Sequence, residues 1–308
     1  MEIYLPIAEQ SMNVFVLFAL GGAAGLLAGM FGVGGGFLAT PVLIFVGIPP
    51  AVAVASQANQ VVANSVSSLQ VQWRRGNVDL RMGLVLLLGG MLGSSAGVWL
   101  FTWLKRIGQV DFVIAVMYVV LLSSIGFLML FESLSTYVKR RRNPTAPRGK
   151  RHTHYLVHRL PGKMRFYKSK LYISAFLPIG LGFVIGILSA ILGVGGGFVL
   201  VPAMIYLLGM PTTVVIGTSN FQILFVAANV TFLQAATNGT VDVVLALLLI
   251  LGGVVGAPIG SRIAARLPGV VLRALMAVLV LGVATELLFE LLRTPPSPYS
   301  LGPREVLP

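Results

Sequence analysis

The residues best suited to bind a ligand are uncharged amides and hydroxyls that follow two glycine-rich segments, at residues 32–36 and 193–197. Those after the first segment are Ser56, Gln57, Asn59, Gln60, Asn64, Ser65, Ser67, Ser68, Gln70 and Gln72, and those after the second are Thr218, Ser219, Asn220, Gln222, Asn229, Thr231 and Gln234. Burying such groups without partners costs a few kcal/mol each. So many of them among apolar neighbours indicate a water-filled path or a bound polar ligand. For any single serine or threonine, hydrogen bonding between helices is the simpler interpretation.

The two glycine segments belong to a repeat that runs through the whole chain. Gly-Val-Gly-Gly-Gly-Phe at residues 32–37 recurs at residues 193–198, and the same offset aligns Pro41 with Pro202, Pro50 with Pro211, and Asn59 with Asn220. After a shift of two residues, Asp79 aligns with Asp242, and the glycines at 89, 93 and 97 align with those at 252, 256 and 260. Two apolar halves, each with such a break, are typical of transporters built from repeats, in which the broken helices form the substrate site.

A run of three glycines destabilises a helix, by about 1 kcal/mol for each glycine relative to alanine. We therefore expect a discontinuous helix at each segment, with backbone N–H groups that need internal partners or a wet cavity. Helices that begin near Phe37 and Phe198 would present N–H donors and the positive end of the helix dipole, which favour an anion. Close helix packing is the alternative, and it is the preferred explanation for the stripes at residues 89–97 and 252–260.

The predicted substrate site combines these N–H groups with side-chain amides and a hydroxyl: Gly34, Gly35, Gly36, Gln57, Asn59, Gly195, Gly196, Gly197, Thr218 and Asn220. Glu286 is the one carboxylate well inside an apolar run and is a candidate to bind a coupling ion. Asp79 and Asp242 stand at expected helix starts, where they would cap N-termini. We expect no metal, cofactor or enzymatic activity, because the chain has no cysteine and lacks paired carboxylates, an HExxH motif and a nucleophile–base pair.

The composition indicates a membrane protein. Hydrophobic residues make up 56% and charged residues 10% of the chain, whereas a soluble domain carries about 25% charged residues. Apolar runs of about 20 residues, the length that spans a bilayer, recur at 13–31, 82–104, 112–131, 174–192, 213–236, 243–261 and 270–292. The predicted fold is all-α, a polytopic transmembrane helical bundle of two homologous repeats with about 8 to 10 spans.

The two repeats are predicted at residues 1–131 and 173–293, with a basic linker at 132–172 and a disordered tail at 294–308. The net charge of +13 is concentrated in the linker. Basic loops beside membrane spans mark the cytoplasmic side, so we expect the linker in the cytoplasm, in contact with anionic lipid headgroups. It lacks a recognisable nucleic-acid-binding motif, and we expect no nucleic-acid partner.

The orientation of the repeats follows from two smaller basic loops. One basic loop in the first half contains Arg74, Arg75 and Arg81, and one in the second half contains Arg262 and Arg266. Both loops can be cytoplasmic only if each half crosses the membrane an odd number of times. One repeat is then inverted relative to the other, and the broken region at 12–48 enters and leaves on one side. An even count of four spans per half is the alternative.

These motifs resemble the sulfite exporter TauE/SafE family, also called the toluene-sulfonate uptake permease family. The resemblance covers both halves and rests on the glycine segments with Pro41 and Pro202, the polar helices with Asn59 and Asn220, and the Asn-Val-Asp and Thr-Val-Asp segments at 77–79 and 240–242. It implies a multi-pass transporter of the bacterial inner membrane with about eight helices, which moves sulfite, sulfonates or related organosulfur and organic anions.

The predicted mechanism is export of the anion by alternating access between the two repeats. An inside-negative membrane assists each exported negative charge by about 2.3 kcal/mol per 100 mV, so export would need no coupling ion. The alternatives are an anion channel and a proton- or sodium-coupled uptake permease for organosulfur anions. The sequence predicts neither the exact anion nor the oligomeric state.

Overall fold

The computed structural model describes residues 2–31, 36–142, 163–169, 171–266 and 269–292. In these residues each half of the chain forms a β-hairpin followed by helices. The first half contains β1 (Glu2–Leu5), β2 (Gln10–Asn13), α1 (Val14–Phe31), α2 (Gly36–Phe45), α3 (Pro50–Arg74), α4 (Leu80–Arg106) and α5 (Val110–Arg142). The second contains β3 (Lys163–Phe166), β4 (Leu171–Ser174), α6 (Phe176–Leu192), α7 (Gly197–Tyr206), α8 (Thr212–Leu233), a π-helical turn (Gln234–Asn238), α9 (Val243–Arg266) and α10 (Gly269–Leu292). The prediction of a mostly helical protein is confirmed.

Several helices have the length and composition of membrane spans. Among the described residues, 4 segments are long and apolar enough to cross a bilayer, namely Leu80–Arg106, Val110–Phe131, Thr213–Asn238 and Val243–Gly260. Shorter apolar helices lie at Val14–Met30, Gly36–Phe45, Phe176–Leu192, Gly197–Tyr206 and Ala274–Phe289. The 25 residues of α3 would extend about 37 Å at the α-helical rise, but many of its side chains are polar.

The two hairpins are a feature that the sequence analysis missed. Both hairpins are antiparallel. The offset in residue number between the two hairpins equals the offset between the two glycine segments. β3 and β4 occupy residues that were assigned to the linker, and the predicted boundary at residue 173 lies inside β4. Basic residues such as Arg165 and Lys168 gave this stretch the composition of a loop. Residues 143–162 of the predicted linker and the predicted tail at 294–308 lie outside the described residues.

The structure corrects the alignment of α3 with α8. The N-cap residue is Pro49 in α3 and Pro211 in α8, and ψ is 132° at both. Each proline carbonyl accepts hydrogen bonds from the amides three and four residues later, which are Val52 and Ala53 in α3 and Val214 and Val215 in α8. Pro211 therefore matches Pro49 rather than Pro50, because the loop before α8 is one residue longer.

This correction changes which polar side chains are equivalent. A shift of one residue turns a helix position by about 100°, so Asn59 and Asn220 occupy different places in the two repeats. The matched pairs are instead Ser56 with Thr218 and Gln60 with Gln222.

A second shift of one residue arises at the π-helical turn after α8. A π-helix closes its hydrogen bonds from i to i+5 and so holds an extra residue in its turn. Beyond it, Gly76 and Gly239 both have positive φ, at 70° and 58°. Asp79 then matches Asp242, as the sequence predicts.

The most extensive helix contacts join the two halves, and they pair α1 with α9, α4 with α6, α3 with α8, and α5 with α10. The glycine stripe of α9 packs on α1, with Gly252 against Phe18, Gly256 against Gly22 and Gly260 against Leu26. The stripe of α4 packs on α6 in the same manner, since Gly89, Gly93 and Gly97 abut Ile179, Phe183 and Ile187. In both pairs the residue numbers rise together, so the helices of each pair run parallel. These glycines allow backbones to approach closely, as the packing interpretation predicts.

Candidate functional site

The second glycine segment separates α6 from α7 in the interior of the protein. Gly193, Gly195 and Gly196 have φ of 67°, 68° and 71°, a left-handed conformation that glycine adopts without steric cost. Gly193 caps the C-terminus of α6, and Gly196 is the N-cap of α7. Gly197 is the first residue of α7. Of the first segment, Gly34 and Gly35 lie outside the described residues, whereas Gly36 is buried as the first residue of α2.

The two glycine segments meet where α3 and α8 pack together. A Cβ atom on Gly195 would lie 2.9 Å from Cγ2 of Ile223, and one on Gly36 would lie 2.7 Å from Cγ2 of Val61. The rings of Phe37 and Phe198, which begin the short helices, are stacked with centroids 5.2 Å apart. Val61 and Ile223 are equivalent in the corrected alignment, so this contact lies at the centre of the repeat.

A hydroxyl group satisfies a backbone carbonyl that the C-terminal end of α6 leaves free. The hydroxyl of Tyr118, on α5 of the first half, donates to the carbonyl of Leu192, the last residue of α6. Thr40 Oγ1 lies 3.3 Å from the carbonyl oxygen of Gly36, and both side chains are buried. Sequence analysis missed Tyr118, although a tyrosine within an apolar span is a signal for such a bond.

The predicted amide Gln57 is buried and belongs to a small network. Its Nε2 donates to Oε1 of Gln60 at 2.7 Å. Gln60 Nε2 in turn donates to the carbonyl oxygens of Gly21 on α1 and Leu249 on α9, at 3.0 and 2.9 Å. Gln60 therefore ties α3 to one helix from each half.

The other predicted polar residues use their side chains within the protein in this conformation. Asn220 Nδ2 donates to the carbonyl of Ile216 in its own helix at 2.9 Å. The side chain of Asn59 is half-buried, and its Nδ2 lies 3.5 Å from the carbonyl oxygens of Ala55 and Ser56. Thr218 Oγ1 accepts a hydrogen bond of 3.1 Å from the backbone N–H of Asp79.

Asp79 and Asp242 cap helices, as predicted, and they also hold the hairpins. The carboxylate of Asp79 accepts from Met82 N at 3.2 Å, and that of Asp242 accepts from Leu245 N at 3.1 Å. Asp79 Oδ2 also accepts from the backbone N and the hydroxyl of Ser169, at 3.0 and 2.6 Å. Asp242 Oδ2 accepts from Ile7 N at 3.0 Å. Each aspartate therefore fixes the hairpin turn of the opposite repeat.

Some buried polar atoms have no hydrogen-bond partner within the described residues. These atoms are Gln57 Oε1, Ser65 Oγ, Gln222 Nε2, Gln222 Oε1 and Thr231 Oγ1. Such groups are candidates to bind a ligand or water, because leaving them unsatisfied costs about 1 to 3 kcal/mol each. Only Gln57 of this set was in the predicted site.

The structure does not bring Glu286 to this region. Glu286 is exposed on α10, whereas the buried charged residues in the described part of the chain are Asp79 and Asp242. A groove of about 460 Å³ is lined by Val66, Leu69, Gln70, Trp73 and Leu224, and a recess of about 230 Å³ is lined by Val78, Asp79, Leu80, Arg81, Tyr167 and Lys168. Neither is lined by a described residue of the predicted site.

Comparison with known proteins identifies the family of the chain. The family model described as sulfite exporter TauE/SafE matches residues 17–287. A probable membrane transporter protein of Xylella fastidiosa (strain 9a5c) is 31% identical over 260 residues, which cover 82% of this chain and 86% of that protein. The probable membrane transporter protein YunE of Bacillus subtilis (strain 168) is 25% identical over 293 residues, which cover 91% of this chain and 98% of that protein. No solved structure matches the chain.

The family match extends over both glycine segments and over the polar helices α3 and α8. The chain therefore belongs to the sulfite exporter TauE/SafE family of membrane transporters.

Proposed function

We propose that this transporter exports a small anion, such as sulfite, a sulfonate or a related organosulfur or organic anion, by alternating access between its two repeats. The observation that carries the proposal is the interruption at Gly193–Gly196. It lies in the interior against α3 and α8, whose buried polar groups are uncharged. A backbone opened beside neutral amides can donate hydrogen bonds to an anion.

The proposal of alternating access between inverted repeats is supported by contacts between α3 and the helices that follow it in each half. The start of α9 lies beside the N-terminal part of α3, because Asp242 N donates to Ser56 Oγ at 3.0 Å. The start of α4 follows the C-terminal end of α3, about 27 Å further along that helix. α4 and α9 are equivalent helices, so in the proposed topology they enter the membrane from opposite faces.

This topology assigns the two faces of the membrane. Arg74 and Arg75 lie at the end of α3 and Arg81 at the start of α4, and Arg262 and Arg266 lie at the end of α9. Both sets share one face in the inverted arrangement, and the positive-inside rule makes that face cytoplasmic. The linker at 132–172 is then cytoplasmic and contacts anionic lipid headgroups, and the protein spans the bacterial inner membrane.

The proposed site has neutral ligands, which suits a substrate that must be released. Its ligands are the N–H groups of the Gly34–Gly36 and Gly195–Gly197 segments, joined by the carboxamide of Gln57 if Nε2 exchanges its bond to Gln60 for one to the substrate. Thr218, Asn59 and Asn220 join them only if they exchange their present hydrogen bonds for bonds to the substrate. Export is favoured over uptake, because Glu286 is exposed and an exported negative charge gains about 2.3 kcal/mol per 100 mV.

Flux from proteoliposomes tests the proposal. Purified protein would be reconstituted with sulfite, toluenesulfonate, sulfate or chloride inside, and efflux would be measured at set voltages and pH values. We expect saturable efflux of sulfite or toluenesulfonate that is accelerated by the same anion outside. Currents that do not saturate would indicate a channel, and uptake driven by a proton or sodium gradient would indicate a coupled permease. Absence of flux for every anion would refute anion transport.

A further inference from the structure

Gln222 on α8 occupies the same place in the second repeat as Gln60 in the first. Both lie against an equivalent glycine of the helix that crosses them. A Cβ atom on Gly253 would lie 2.7 Å from Nε2 of Gln60, and one on Gly90 would lie 2.7 Å from Nε2 of Gln222. The two carboxamides are therefore positioned alike, and their hydrogen bonding can be compared directly.

Gln60 is fully engaged in the protein. Its Nε2 donates to two backbone carbonyls, those of Gly21 and Leu249, and its Oε1 accepts from Gln57 Nε2. The three bonds fix the orientation of the carboxamide. A side chain with these contacts is a structural bridge between helices.

Gln222 has none of these bonds. Its side chain is completely buried, and within the described part of the chain neither its Nε2 nor its Oε1 has a hydrogen-bond partner. The residue that matches Gln57 is Ser219, and its short side chain donates to Ile216 O at 3.2 Å in its own helix. The interaction that orients Gln60 is therefore missing around Gln222.

We propose that Gln222 is a substrate-binding residue whose carboxamide N–H donates to an oxygen of a sulfur oxyanion. This inference rests on the proposed function and adds a ligand to the same site. The next residue, Ile223, packs against Gly195, and the unused carboxamide itself faces Gly90 of α4. A buried donor without an acceptor destabilises the protein, and a bound oxyanion would satisfy Gln222 Nε2.

Sequence analysis named Gln222 among the polar residues of the second half but did not include it in the predicted site. The offset of the glycine segments pairs Val61 with Gln222, and only the corrected alignment pairs Gln222 with Gln60. The asymmetry between the two glutamines then becomes visible.

The test compares Gln222→Met with the matched variant Gln60→Met. Methionine keeps the side-chain length and removes the hydrogen-bonding groups in both. Melting temperatures would be measured in detergent with and without sulfite, and separately with toluenesulfonate, together with the KM for efflux from proteoliposomes. A hydrogen bond to a charged ligand is strong enough that its loss should raise KM by about tenfold or more.

We expect Gln222→Met to melt at or above the wild-type temperature without anion, to lose the anion-induced shift, and to have a raised KM. Gln60→Met should melt at a lower temperature, because it removes the hydrogen bonds from Gln60 to α1 and α9 and leaves Gln57 Nε2 without its acceptor. A Gln222→Met protein that is destabilised like Gln60→Met, or that keeps the wild-type shift and KM, would overturn the inference. A wild-type protein that responds to neither anion would instead refute the proposed function.

Discussion

The two repeats share a framework but differ in how they use their buried polar side chains. At the ends of the membrane helices they match, since Asp79 and Asp242 both cap a helix and hold a hairpin turn of the other repeat. At the centre they differ, since Gln60 bridges three helices whereas the side chain of Gln222 has no hydrogen-bond partner in the described residues. The matched contacts stabilise the fold, and in the proposed site the unmatched ones would provide groups for a small ligand that lacks two-fold symmetry.

The largest expected effect is the loss of stability on removing either of the matched aspartates, Asp79 or Asp242. Asp79→Ala and Asp242→Ala should each lower the free energy of unfolding by about 3 kcal/mol or more, because each substitution leaves several buried donors unsatisfied and removes an N-cap. Unfolding in mixed micelles would measure both. A large effect in one variant and none in the other would contradict the claim that the two ends are equivalent.

The next effect concerns the interruption between α6 and α7. Gly195→Ala should destabilise the protein by about 2 to 4 kcal/mol, since alanine is strained at a φ of 68° and its Cβ would collide with Val61 and Ile223. Gly180→Ala is the matched control, because a Cβ atom there meets nothing within 4 Å and the change should stabilise the helix by up to about 1 kcal/mol. Equal tolerance at both positions would mean that the backbone at Gly195 is not constrained. Gly93 is a poor control, because it packs against the backbone of Phe183.

The link between the halves at Leu192 gives a smaller effect. Tyr118→Phe removes the hydroxyl that satisfies the Leu192 carbonyl and should cost about 1 to 2 kcal/mol. Tyr172→Phe is the control. Tyr172 is exposed, so the loss of its hydroxyl should leave the free energy of unfolding nearly unchanged. The same unfolding assay compares them, and a neutral Tyr118→Phe would show that the carbonyl finds another donor.

The smallest effect tests the corrected alignment. Asn220→Ala should cost about 1 kcal/mol, because its hydrogen bond is 2.9 Å long and its side chain is buried. Asn59→Ala should cost less, because its contacts are 3.5 Å long and its side chain is half-buried. Equal costs, measured by unfolding in micelles, would favour the original pairing of Asn59 with Asn220.

Parts of this arrangement could be predicted from residue types alone. Apolar runs indicated the helices, and Asp79 and Asp242 were recognised as N-caps because carboxylates favour helix starts. The register of α3 against α8 could not be read, because Pro49 and Pro50 are adjacent and either could match Pro211. The π-helical turn and the second hairpin were also hidden, the latter by basic residues that resemble a loop.

The proposed ligand-binding amides were harder to predict, because their hydrogen-bond partners are also set by the three-dimensional packing. Whether a buried amide serves the fold or a ligand depends on which carbonyls lie opposite it. Gln57 and Gln222 differ from Gln60 in this respect, and the difference exists only in three dimensions. Substitution at Gln222 is therefore a more direct probe of the site than substitution at Asn59.

The proposed alternating access depends most on the repeats being inverted, and cysteine accessibility tests this directly. The chain has no cysteine, and the equivalent hairpin positions Ser11 and Tyr172 are both exposed. Single variants Ser11→Cys and Tyr172→Cys would be treated with a membrane-impermeant maleimide in spheroplasts and again after permeabilisation. We predict that Ser11→Cys is labelled in intact spheroplasts and Tyr172→Cys only after permeabilisation. Labelling of both from the same side would contradict the inverted arrangement.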